Sequence, residues 1–140
     1  MSEEWLAEVS WAGDYLFLGS DMEGHTVVYD SSGERQRGIS PMTSLLTSLG
    51  ACSGMDVVAI LRKRKQRLSS LSVLLTGERP KYGYPKPWKN VHVKYVLSGE
   101  GLDRNVVEEA IRDSMAKFCS VAATIRPTVK ISHSYEIVTL

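Results

Sequence analysis

The sequence predicts one domain that mixes helices and strands, of the α/β (α+β) class, and three observations carry that reading. Short alternating runs fill the first 30 residues. A long apolar segment with helix-start signals runs from Ser40 to Leu61. Two more alternating runs, an amphipathic helix and a closing alternating run follow it. At 140 residues the chain matches one domain of common size and can bury a core without metal or disulfide staples.

Taken in order, WLAEVSWA alternates in part, YLFLGS follows Gly13-Asp14, and HTVVYD follows DMEG, which together read as an antiparallel meander. Residues 31–38, SSGERQRG, are polar and glycine-bounded, a loop by composition. Ser40 is placed to cap a helix whose first residue is Pro41, where the missing N–H of proline does no harm. In that helix Leu45, Leu49, Cys52, Asp56 and Ala59 share a face, and Leu46, Met55, Val57, Val58, Ile60 and Leu61 cover most of the rest. A helix apolar nearly all round is expected to be enclosed. Gly50, Ala51, Ser53 and Gly54 flank Cys52; a glycine inside a helix costs about 1 kcal/mol against alanine, so a close neighbour is expected there, either another helix or a ligand.

Downstream, LSSLSVLLTGE and NVHVKYVLSG read as strands, the second with Val91, Val93 and Tyr95 alternating against His92, Lys94 and Val96. The segment RPKYGYPKPWK between them is too rich in proline and glycine for regular structure. It reads as a long hairpin connection whose Tyr82, Tyr84 and Trp88 are candidate pocket walls. Asp103 caps a second helix, with Val107, Ala110, Ile111, Ser114, Met115 and Phe118 as its apolar stripe, ending near Cys119. Ser120 to Ile125 adds a turn broken before Pro127, and TVKISHSYEIV closes the chain as a strand. No repeat or second domain boundary interrupts residues 1–140.

Composition excludes several classes of function. Hydrophobic residues make up 43% of the chain and charged ones 24%, too apolar for disorder, and a formal charge of +1 gives no overall field to recruit nucleic acid or an anionic membrane. The basic run RKRKQR at 62–67 reads as a solvated end that complements the helix dipole. Thr43, Ser44, Thr47, Ser48, Ser53 and Asp56 interrupt the apolar segment, which is expected to fall short of a membrane span of about 20 apolar residues. The acidic amino end, MSEEWLAEVSWAG, is unlike a secretory signal, so a cytoplasmic location is expected.

Two cysteines 67 positions apart in a reducing compartment make a poor permanent bridge, and their spacing does not resemble a zinc site. They are either two buried residues or a redox pair. His92 and His133 lie in strand patterns as surface or satisfied core residues, so no metal site and no cofactor is expected.

The pattern S-P-x-x-x-L-L-x-S-L-G-A-C at Ser40 to Cys52, then M-D-V-V-A-I-L, then A-K-F-C-S-V-A-A-T at Ala116 to Thr124 and a closing H-S-Y-E-I, resembles the OsmC/Ohr family of thiol-dependent hydroperoxide reductases. The likeness covers nearly the whole chain. It is nearest to a branch with a Gly-His in the N-terminal hairpin, here Gly24-His25. The resemblance implies an intertwined homodimer in which antiparallel-rich sheets wrap two central helices, with active sites at the subunit interface. It also implies a role in antioxidant stress response. Carried over by motif, Cys52 is the peroxidatic thiol and Cys119 the resolving one: an organic hydroperoxide oxidises Cys52 to a sulfenic acid, Cys119 condenses with it to a disulfide, and an external dithiol resets the pair.

A thiolate in apolar surroundings needs a nearby cation or donor. Well-studied members supply a hairpin arginine held by a glutamate after the proline matching Pro41. Here that place holds Met42, which joins the candidate substrate pocket, and the hairpin DMEGH has no arginine. His25 is the nearest substitute, with Arg35 or Arg37 next. Asp56, one turn after Cys52, could orient such a cation. The alternative reading is a non-catalytic redox-sensing or small-molecule-binding dimer of the same fold.

Overall fold

A computed structural model describes residues 1–139. The chain divides into two compact units, residues 1–45 and Leu46 onward.

The first unit is a meander of β1 (Glu8–Trp11), β2 (Phe17–Ser20) and β3 (Thr26–Tyr29), each strand antiparallel to the next. Glycine punctuates it where the backbone turns into the left-handed region, at Gly13 and Gly24. The following loop returns along β3, pairing Ile39 with Tyr29. There Gly38 lies so close to the carbonyl of Val28 that an added Cβ would sit 2.5 Å from its oxygen. Ser40 caps α1 (Pro41–Lys63) as expected, its hydroxyl accepting from the N–H of Thr43 at 3.2 Å.

In the second unit a three-stranded sheet runs β4 (Arg67–Glu78), β5 (Asn90–Glu100), β6 (Lys130–Ile137), with β5 in the middle. β4 pairs with β5 antiparallel and β6 pairs with β5 parallel. Because β5 is central, its alternate residues Val91, Val93, Tyr95 and Leu97 are sealed from solvent. Between β5 and β6 lie α2 (Arg104–Asp113), a π-helical turn (Ser114–Phe118) and α3 (Ser120–Ile125). Asp103 caps α2 by accepting from the N–H of Asn105 at 2.9 Å. Leu49, Val57 and Leu61 of α1 join Val107, Ala110 and Ile111 of α2 in this core; full burial of such side chains contributes about 1.5–3 kcal/mol each.

Three expectations change. First, α1 is not enclosed within the chain: its buried stripe is Leu49, Gly50, Ser53, Gly54, Val57 and Leu61, while Leu45 and Met55 stand exposed. Second, within the chain the close neighbour of its glycines is a strand, β4. A Cβ on Gly50 would meet Leu75 at 2.7 Å, so the small residues let α1 settle onto the side chains of β4. Third, Phe118 leaves the apolar stripe of the second helix and is 56% exposed. The π-turn bonds the N–H of Cys119 to the carbonyl of Ser114, five residues back, and the wider turn rotates Phe118 outward.

By length and composition alone α1 also meets the test for a bilayer-crossing helix, which buried core helices meet as well. Its Leu49, Val57 and Leu61 are nonetheless committed to the core, and its Ser53 and Asp56 to interior hydrogen bonds.

Candidate functional site

Cys52 lies mid-way along α1, half-buried, and Cys119 caps α3 with only 2% of its surface exposed. Both are free thiols, and Cys52 is close enough to Cys119 to contribute to the rise in its thiol pKa. The N–H of Ala122 donates to Cys119 Sγ at 3.4 Å, fixing the sulfur at the first turn of α3.

Burial above all pushes the Cys119 thiol up to about 11; its hydrogen bond to Cys52 and the charges of Cys52 and Asp56 add to the rise, outweighing the Ala122 N–H that lowers it. Cys119 therefore keeps its proton at neutral pH. The pair is asymmetric in burial: Cys119 is sealed and Cys52 half-buried.

Beside the sulfurs runs a buried chain of hydroxyls that sequence reasoning missed. Ser53 meets the Tyr95 hydroxyl at 2.5 Å and the Ser114 hydroxyl at 2.8 Å, and Ser114 donates to Asp56 Oδ2 at 2.9 Å. One proton per hydroxyl sets the direction: Ser114 gives to Asp56, so Ser53 gives to Ser114 and Tyr95 gives to Ser53. Tyr95, Ser53 and Ser114 are fully buried, and all are satisfied. Desolvation first, with the charges of Cys119 and Asp56 adding, holds the Tyr95 hydroxyl neutral up to about 12. Asp56 thus accepts a hydrogen bond from Ser114 at one of its two oxygens. The available signal was Ser114 itself, a polar residue on an apolar stripe.

The candidate activating cations belong to the first unit, and two of them are engaged locally. The His25 ring meets Asp21 Oδ2 at 2.5 Å, while Asp21 Oδ1 accepts the N–H groups of Glu23 and His25. Asp21, Glu23 and His25 bring potential metal-ligand atoms within 4.8 Å of one another, but all three are exposed, and Asp21 is already engaged by its own turn. Arg37 binds Asp30 Oδ2 through Nε at 3.1 Å, and the N–H groups of Ser32 and Arg37 complete the carboxylate's shell. Asp30 is sealed by this loop, and those two N–H donors hold its carboxyl down at about 2. Arg35, in the left-handed region at φ 56°, has no ion-pair partner among the described residues.

Of the candidate pocket walls, Met42 sits half-buried in the first turn of α1. Tyr82 and Tyr84 stand exposed, each with a lysine near its ring, Lys81 and Lys86. Trp88 instead packs on Gly77 and under Arg79, whose guanidinium lies 5.4 Å from the ring centre. Two cations of the basic run are paired, Arg64 with Glu109 at 2.8 Å and Arg67 with Glu100 at 3.4 Å. His92 bonds the hydroxyls of Ser132 and Ser134 across the sheet, as a satisfied structural residue.

The model of the family described as OsmC-like protein matches residues 32–134. Protein YhfA of Escherichia coli is 36% identical over 133 residues, 94% of this chain and 97% of its own. A solved structure of a hypothetical protein from Aquifex aeolicus superposes with TM-score 0.87 at 29% identity, covering 99% of both chains. The organic hydroperoxide resistance protein OhrB of Bacillus subtilis, at 16% identity, superposes with TM-score 0.64 over 94% of this chain and 98% of its own, a likeness of fold. The matched segment contains both cysteines and all the elements that hold them, and the chain belongs to the OsmC-like protein family.

Proposed function

We propose that the chain is a cytoplasmic thiol-dependent peroxidase that reduces organic hydroperoxides. The observation that carries this reading is that Cys52 and Cys119, 67 positions apart in sequence, act on one another electrostatically in the fold, Cys52 half-buried and Cys119 buried.

In the first step the Cys52 thiolate attacks the outer oxygen of ROOH. The O–O bond breaks, Cys52 becomes a sulfenic acid, and the departing alkoxide takes a proton from water to leave as ROH. In the second, the Cys119 sulfur attacks the Cys52 sulfur, the S–O bond breaks, and the Cys119 proton leaves with the hydroxide as water. An external dithiol then reduces the disulfide by exchange, itself ending oxidised. Cys119 remains an S–H through the first step. Its high affinity for the proton keeps it from competing as a nucleophile until the sulfenic acid is in place.

With cumene hydroperoxide and dithiothreitol, the reduced protein should turn over and Cys52→Ser should lose at least about 100-fold of that rate, as expected when a covalent nucleophile is removed. Wild-type turnover no faster than the mutant refutes the enzymatic reading. A second reading, a redox-sensing or small-molecule-binding dimer, draws on the engagement of His25 with Asp21 and Arg37 with Asp30, which leaves two candidate cations occupied. A Cys52–Cys119 disulfide that forms under mild oxidant without turnover selects it.

Either reading includes a homodimer. The exposed face of α1 carries Met55 and a groove lined by Ala51, Val58 and Ala59 against Leu71 and Val73 of β4, an apolar surface suited to a second copy of the chain. Sedimentation should give twice the chain mass, and Met55→Glu should shift it toward the monomer.

A further inference from the structure

A second cavity has no part in the peroxidase cycle. It lies where α3 meets the start of β6, with a volume of about 220 Å³. Its walls are apolar: Met115 of the π-turn, Ala122 of α3, Val129, and Ile131 of β6. Its polar groups are all basic, namely Arg126, Lys130 and His133. Among the described residues neither Arg126 nor Lys130 has an ion-pair partner; the Arg126 guanidinium only donates one bond, to the Met115 carbonyl at 3.2 Å, and keeps donors to spare.

We propose that this cavity binds a small amphiphilic carboxylate, its head on Arg126 and Lys130 and its tail against Met115, Val129 and Ile131. Unpaired cations beside an apolar hollow attract an anion, and the walls favour one with a hydrocarbon body over a fully hydrated ion. At about 30 Å³ of liquid volume per water, the space equals about seven waters, room for a short-chain or medium-chain acid. His133 is lowered first by desolvation and then by the charge of His92, so at neutral pH it offers an N–H without adding a full charge. Ala122 joins this cavity to the thiol site, since it lines the hollow while its N–H holds Cys119 Sγ. The inference does not depend on whether the thiols turn over peroxide.

The test is calorimetric titration of the full-length reduced protein with sodium octanoate, octan-1-ol and inorganic phosphate, with the Met115 methyl NMR signal as the local reporter. Octanoate should bind and shift that signal, and Arg126→Gln and Lys130→Gln should each weaken binding at least about 10-fold, as loss of a charge-assisted contact implies. Lys130→Gln keeps the test decisive if Arg126→Gln disturbs the π-turn, because Lys130 makes no side-chain bond to that turn. Octan-1-ol as tight as octanoate would remove the role of the cations. Phosphate as tight as octanoate would remove the role of the walls. No octanoate binding, or binding indifferent to Lys130→Gln, overturns the proposal.

Discussion

Charged groups in the first unit are held by near neighbours in sequence, whereas the buried hydroxyls of the second are held by residues far along the chain. Asp21 binds His25 four residues on, and Asp30 binds Arg37 seven on. Ser53 meets Tyr95 and Ser114 at separations of 42 and 61. A local pair closes a short loop at small entropic cost and can form before the rest of the chain is ordered. A distant one exists only after α1, β5 and the π-turn have packed. Damage to the first kind should therefore stay in its loop, and damage to the second should spread to the fold and to the thiols.

The largest effect is expected from Ser53→Ala. It removes the middle link, leaving the Tyr95 hydroxyl buried with no acceptor at a cost of roughly 2 kcal/mol, which for a chain of this size lowers Tm by about 8 °C. Tyr95→Phe keeps the ring and removes only the outermost donor, so thermal unfolding should report about 1 kcal/mol. Equal losses in the two variants would break the proposed direction of the chain, in which Tyr95 gives and Ser53 receives.

Asp56→Asn reads the same network from its acidic end. The Asp56 carboxylate raises the Cys119 thiol, so removing its charge should move the pH midpoint of Cys119 alkylation below about 11. Burial, the largest cause of the rise, remains in the variant and keeps the midpoint above that of an ordinary thiol. A midpoint that does not move would separate Asp56 from the sulfurs.

Legibility in the sequence followed the same divide. The strands, both helix caps and the loop at 31–38 were readable because each depends on a few adjacent residues: Ser40 before Pro41, Asp103 before an amphipathic run, alternation at Val91, Val93 and Tyr95. The π-turn was not readable. The apolar period runs on through Met115 to Phe118, and nothing local marks the carbonyl of Ser114 bonding five residues ahead. The buried face of α1 was hidden for the opposite reason: a helix apolar on most sides has no period to reveal which side the sheet will cover. The cysteine pair was legible only through the family motif. The hydroxyl chain stayed hidden because its partners are set by packing.

Asp30 is the strongest of the local pairs and should show it through pH. Its carboxyl lies at about 2 in the folded chain against 3.8 ordinarily, so its contribution is fully present above pH 3.8 and lost as pH falls through 2. Asp30→Asn should be less stable than the wild type at pH 5–7, with the difference closing between pH 4 and pH 2. A difference that persists at pH 2 would mean that packing, and not charge, holds the loop.

The smallest effects on stability belong to the exposed cations. His25→Ala breaks a pair open to solvent and should change stability by less than about 0.5 kcal/mol. Arg35→Gln keeps a non-glycine residue at φ 56°, and so leaves the backbone strain where it was. Their effect on the rate of Cys52 oxidation is the sharper measurement. Of His25, Arg35 and Arg37, Arg35 is the one with no carboxylate partner among the described residues, so a cation recruited to the thiolate should come from it first. Stopped-flow oxidation by cumene hydroperoxide should then slow by about 10-fold in Arg35→Gln, about 1.4 kcal/mol of barrier, and hardly at all in His25→Ala. If both variants react at the wild-type rate, the support for Cys52 comes from the Cys119 thiol within its own unit, and the first unit has no electrostatic share in the chemistry.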